Sequence, residues 1–151
     1  MDKLNFLKTD FIQLLSTLKS NDKGNWGLLN GQQMVEHMSD SVRIANGKDK
    51  MQLHTPAGQV EAFRKFAMSD KEFKPNTKNA LLAEVPPPVR NANMQEAILE
   101  LENEITSFIS YFEINKGATI TNPFFGDLNF EEWVHLLFKH TVHHCKQFGL
   151  I

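Results

Sequence analysis

The residues best suited to chemistry in this chain are histidines. Near the C-terminus the sequence reads Lys139-His140-Thr141-Val142-His143-His144-Cys145-Lys146-Gln147. His140 and His144 are four residues apart, and on an α-helix that spacing stacks two imidazoles on one face. A helix presents two nitrogen ligands to one metal ion in this way. His37 lies in a separate helix-like segment roughly a hundred residues earlier. If those two helices pack together, the chain has a three-histidine site.

The helical wheel places these residues. With His140 at zero and about 100° per residue, Trp133, Leu136, Leu137, His144, Gln147 and Phe148 fall within roughly 80° of it. Lys139 and Lys146 fall about 100–120° away on one side. The pair therefore sits in the middle of an inward stripe. His37 shares its face with Gln33, Met34, Ser41, Ile44 and Ala45, which puts it at the centre of its own inward face. Inward imidazoles need partners for their nitrogens. One shared metal would satisfy all three, and so would separate hydrogen bonds within a core.

The neighbouring groups have lesser roles. His143 falls at the rim of the face, about 60° from its centre, as an acid/base helper, a proton shuttle or a surface residue. Asp40 is a second candidate acid/base group. Gln33 and Gln147 could orient ligands from behind. His135 points to the far side of its helix. His54 lies in a loop, as a lid or an exposed residue. A zincin needs H-E-x-x-H with the glutamate as base, and Thr141 stands in that place. A carboxylate-bridged di-iron bundle needs two Glu-x-x-His motifs. Only Glu132 to His135 fits, and it points away from the inward stripe. His144 and Cys145 are adjacent and diverge by about 100°, so they form no nucleophile pair. Cys145 shares a side with Val134, Phe138 and Val142. That second apolar stripe predicts another helix or the partner in a homodimer.

Four periodic segments must carry these residues. The first spans Leu4 to Leu18 with Leu7, Phe11, Leu14 and Leu15 on its stripe. The second opens at Asn30, with Gln33 completing a capping box, and stops at Asn46-Gly47. The third runs from Met94 to Phe112 and ends at Asn115 to Gly117. The fourth opens at Asn129, with Glu132 as its capping-box partner, and closes at Gly149. Between Gly47 and Asn93 lies a long connection with one weak helical stretch, Val60 to Met68. It also holds the run Pro86-Pro87-Pro88, which cannot be helix interior. No strand alternation stands out. The expectation is an all-α chain, a four-helix bundle with a long crossover between helices 2 and 3.

The 151 residues fit one domain, residues 1–151. A net charge of −2 and a pI near 6.3 give nucleic-acid binding no electrostatic support. A single cysteine excludes an internal disulfide framework and fits a reducing cytoplasm. The N-terminal apolar residues are interrupted by charge too often for a signal peptide or membrane span. Aromatic usage is skewed, 12 Phe against one Tyr, which points to a bulky core.

The pieces Trp26 … Gln33-Met34-Val35-Glu36-His37 and His140-x-x-x-His144-x-x-Gln147 together resemble the DinB/YfiT-like superfamily. The stretch Asn122-Pro123-Phe124-Phe125-Gly126 … Glu132-Trp133 … Lys139-His140 … His143-His144 … Gln147-Phe148-Gly149 is similar to one branch of it, a DinB-like domain of unknown function. The resemblance covers essentially the whole chain. It implies a four-helix bundle holding one divalent metal, commonly nickel or zinc. The ligands would be one histidine of the second helix and the pair of the last, here His37, His140 and His144. It further implies a metal-dependent enzyme acting on a small molecule, with a low-molecular-weight thiol as one class of substrate. Where many members carry Arg-Gly after the last ligand, this chain has Cys145-Lys146. Thiol transfer, hydrolysis, metal binding without catalysis and a purely helical interaction domain all remain open on the sequence.

Overall fold

Asparagines start the three long helices. Asn30 caps α3 (Gly31–Ala45), Asn93 caps α5 (Met94–Ile114) and Asn129 caps α6 (Phe130–Gln147). Each side chain accepts the backbone N–H three residues on, from Gln33, Glu96 and Glu132. In α3 and α6 the Gln33 and Glu132 side chains reach back to the cap residue's own N–H, completing the expected capping boxes. The structure, a computed structural model, describes residues 2–77, 79 and 81–151.

The N-terminal helix is a continuous run of three pieces: α1 (Lys3–Asn5), a π-helical stretch (Phe6–Asp10) and α2 (Phe11–Leu15). Its stripe of Phe6, Leu7, Phe11 and Leu15 is buried, with Leu18 just beyond it. This run, α3, α5 and α6 pack in a closed circuit: α3 on α5, α5 on the N-terminal run, that run on α6, and α6 back on α3. Between them lies one core, in which Phe11, Leu15, Met34, Met38, Leu101, Phe108 and Trp133 are almost wholly removed from water. Among the described residues no helix is long and apolar enough to cross a membrane.

The second apolar stripe of α6 is taken up within the chain. Val134 and Cys145 are buried, and Phe138 meets Phe6 edge-to-face at 5.3 Å. The N-terminal run lies against α6 there, so the stripe needs no second copy of the chain to cover it.

Two buried charged side chains tie the crossover down. Its short helix α4 (Val60–Met68) packs on α6. The Lys139 ammonium donates to the carbonyls of Phe66, Ala67 and Ser69 at 2.8, 3.2 and 3.1 Å, at the end of α4. That contact buries a lysine that the wheel places beside the inward stripe, and burial lowers its pKa. The second tie is Glu36, only 5 % exposed. Its carboxylate accepts the backbone N–H groups of Arg90 and Asn91 at 2.8 and 3.1 Å and the side-chain amides of Gln32 and Asn91.

Two features depart from the sequence reading. Strands β1 (Ile120–Asn122) and β2 (Gly126–Leu128) form an antiparallel hairpin before α6, with Ile120 opposite Leu128. Three residues per strand are too few to show alternation. The Trp133 indole N–H donates to the Ile120 carbonyl at 3.1 Å, which ties the hairpin to the first turn of α6. The other departure concerns α3. Its buried face includes Val35, Met38, Ser39 and Val42, so His37 stands at the rim of that face and not at its centre.

Candidate metal centre

α3 and α6 lie against each other and bring His37, His140 and His144 together. Nε2 of His140 is 3.0 Å from Nε2 of His37 and 2.9 Å from Nε2 of His144. The three ligand atoms all fall within 4.8 Å of one another. His144 is buried, whereas His37 and His140 are partly exposed. The rings meet edge-on or tilted, with centroids 4.7 to 5.0 Å apart.

This geometry fits a metal ion. Two nitrogens bonded to one ion at about 2.0–2.1 Å lie roughly 2.9–3.4 Å apart for bond angles between square and tetrahedral. The observed 2.9 and 3.0 Å separations stand at the short end of that span. Three separate core histidines are a poorer account. An imidazole N–H points at one neighbour, so hydrogen bonding among three converging nitrogens leaves lone pairs facing each other. A shared cation serves all three.

The electrostatics keep the ligands neutral. Burial, with His143 adding to it, lowers His37 to about 4. Burial and then His37 lower His144 to about 3, against the opposing hydrogen bond to Gln147. Burial and the neighbouring imidazoles hold His140 well below its ordinary value. A neutral imidazole is the form that ligates.

Aromatic groups frame the cluster. The Phe73 ring lies 6.4 Å from that of His140 and 6.3 Å from that of His143. Trp26 meets His143 edge-to-face at 5.6 Å. His143 sits at the rim as expected, its Nδ1 3.2 Å from the Phe73 carbonyl oxygen. Burial lowers its pKa, opposed by that carbonyl and by Glu72. The role of Phe73 carried no signal in the sequence. Trp26, on a loop between two glycines, had one in its flanks.

The remaining candidates lie apart from the three nitrogens. Asp40 is about half exposed and pairs with Arg90 at 2.9 Å, so its carboxylate is not among the grouped ligands. Gln33 is used by its helix cap, and its amide also donates to the Pro87 carbonyl at 3.1 Å. Gln147, by contrast, touches His144 at 2.7 Å. His135 is bound by Lys3 at 2.7 Å and the Ser69 carbonyl at 3.0 Å, and Glu132 pairs with Arg64, which leaves no di-iron motif among the described residues. His54 is exposed and meets Phe124 edge-to-face at 6.1 Å. Thr141, where a zincin has its base, is fully buried.

Two cavities lie elsewhere. One of about 110 Å³ is lined by Lys3, Asp70, Glu72, His135 and Lys139 among others. A more open groove of about 460 Å³ includes Lys48, Asn91, Glu96, Glu100 and Glu104. Neither is lined by a cluster histidine. No family model matches the chain, and no curated protein or solved structure matches it either.

Proposed function

We propose that this chain is a DinB-like metalloenzyme in which His37, His140 and His144 hold one divalent ion, zinc or nickel, for chemistry on a small molecule. The convergence of three Nε2 atoms, with that of His140 at hydrogen-bonding distance from the other two, carries the reading. Three neutral imidazoles leave coordination positions for an exchangeable ligand, the pattern of catalytic rather than closed structural sites. The bound ion would supply Lewis acidity to a water or a thiol placed there. Hydrolysis follows from the first and S-transfer, with a low-molecular-weight thiol as substrate, from the second.

The chain's own groups divide the remaining work. His143, donating from Nδ1 to the Phe73 carbonyl, keeps a lone pair on Nε2 and is a base at the rim, its ring 5.1 Å from that of His144. Its lowered pKa keeps it unprotonated near neutral pH. Trp26 and Phe73 limit water at its edge. Asp40, held by Arg90, is the weaker candidate for that role. The second reading is metal binding without catalysis.

The test is metal analysis of protein purified without chelator, with zinc and nickel titrations of wild type, His37→Ala and His140→Ala. One ion per chain, lost in both variants, is the expected result. Variants that bind as well as wild type would remove the ligand assignment. Turnover of thiol or ester substrates by the loaded protein, absent in His143→Gln, separates the enzyme from the carrier.

A further inference from the structure

Gln147 ends α6 one turn beyond the last histidine and is 4 % exposed. Its amide lies between two groups. Nε2 donates to the Trp26 carbonyl at 2.9 Å, and Oε1 lies 2.7 Å from Nδ1 of His144. The Trp26 carbonyl can only accept, so the amide must turn its NH₂ that way. Oε1 then faces His144, and an oxygen there requires a proton on Nδ1. The His144 lone pair is left on Nε2, the atom that meets the other two histidines.

The loop that supplies the Trp26 carbonyl is built around this amide. The Asn25 N–H donates to the Gln147 backbone carbonyl at 2.6 Å. Gly27 has a φ of +77°, and a Cβ there would stand 2.8 Å from Gln147 Nε2. A Cβ on Gly24 would stand 2.9 Å from Gln147 Cγ. Both glycines let the backbone approach a side chain that larger residues would displace.

We infer that Gln147, oriented by the Gly24–Gly27 loop, is a positioning residue that sets the His144 tautomer and so presents Nε2 to the metal. The role rests on the three-histidine reading but is tested apart from it. Outer hydrogen bonds to ligating histidines commonly change metal affinity by about 10–100-fold. Gln147→Leu removes both amide contacts. Gln147→Glu keeps an acceptor for Nδ1–H but replaces the donor to the Trp26 carbonyl with a carboxylate oxygen and adds a negative charge beside His144.

The first measurement is the tautomer of His144 in metal-free protein, from long-range ¹H–¹⁵N correlations of its ring. Wild type and Gln147→Glu should show the Nδ1–H form, and Gln147→Leu a mixture. This reading does not require a metal, so it stands even if no ion binds. The second measurement is zinc affinity by competition with a chromogenic chelator. Gln147→Leu should bind about 10–100-fold more weakly, with Gln147→Glu closer to wild type. A wild-type ring protonated on Nε2 would overturn the inference, as would a Gln147→Leu protein with unchanged tautomer and affinity. If Gln147→Leu does not fold, the wild-type ring and Gln147→Glu decide the matter alone.

Discussion

Lowering the pH of the metal-free protein tests the cluster most directly. His37 at about 4 and His144 at about 3 stay neutral in the folded chain well below neutral pH. In the unfolded chain both titrate near about 6.5. Their folded values are depressed, so the unfolded state takes up protons first as pH falls. Stability is therefore full above about pH 6.5 and declines as pH falls toward the folded values, by about 1.4 kcal/mol per unit per histidine. At about pH 5 the loss is about 2 kcal/mol for each, or about 4 kcal/mol for the two. Set against a typical total of about 5–15 kcal/mol, that is a large fraction. Urea unfolding in chelator at about pH 7.5 and about pH 5 reads it, with the double variant His37→Gln/His144→Gln as control for the carboxylates. His140 adds a loss of its own in both proteins, so the wild type should lose at least about 4 kcal/mol and the double variant about 4 kcal/mol less than the wild type. A wild-type loss under about 1 kcal/mol, or an equal loss in both proteins, would refute the enclosed neutral cluster.

Lys139→Met should cost about 1–3 kcal/mol in urea unfolding, because three carbonyls at the end of α4 each lose a charged donor, although Phe66 keeps the Ser69 hydroxyl and Ser69 keeps His135. Glu36→Gln should destabilise by a similar amount, about 1–3 kcal/mol, and speed hydrogen exchange at the Arg90 and Asn91 amides that its carboxylate accepts in the wild type. Cys145 is fully buried, and burial pushes its thiol up to about 12. It should react with a disulfide reagent only as fast as the chain opens, and a rapid native reaction would contradict its place in the core.

What could be read in advance was what local chemistry decides. Asn30 with Gln33 and Asn129 with Glu132 announce helix starts because the cap closes within four residues. His140 and His144 were legible as a pair because one helix fixes their spacing. What escaped depends on distant chain. Glu36 and Gln32 are buried in α3 because the segment at Asn91 comes back to meet them. A wheel weighted by hydrophobicity cannot see that, and it shifts the inward face of α3 toward His37. Lys139 is likewise buried by α4, some seventy residues earlier. The apolar side of Cys145 signalled a missing neighbour correctly, but the sequence could not say that the neighbour was the chain's own N-terminal helix.

The crossover has a consequence for how the molecule is held together. Residues 74–77 and 81–85 are exposed, the sort of tract that proteases nick. A cut there leaves His37 on one fragment and His140 with His144 on the other. An ion ligated by all three would then join two polypeptides with no peptide bond between them. Packing of α3 on α5 would hold the fragments as well, so the ion's share is the difference in their dissociation with and without chelator. In the intact chain such an ion would close a loop of more than a hundred residues between His37 and His140 and would act as a removable cross-link between its two halves.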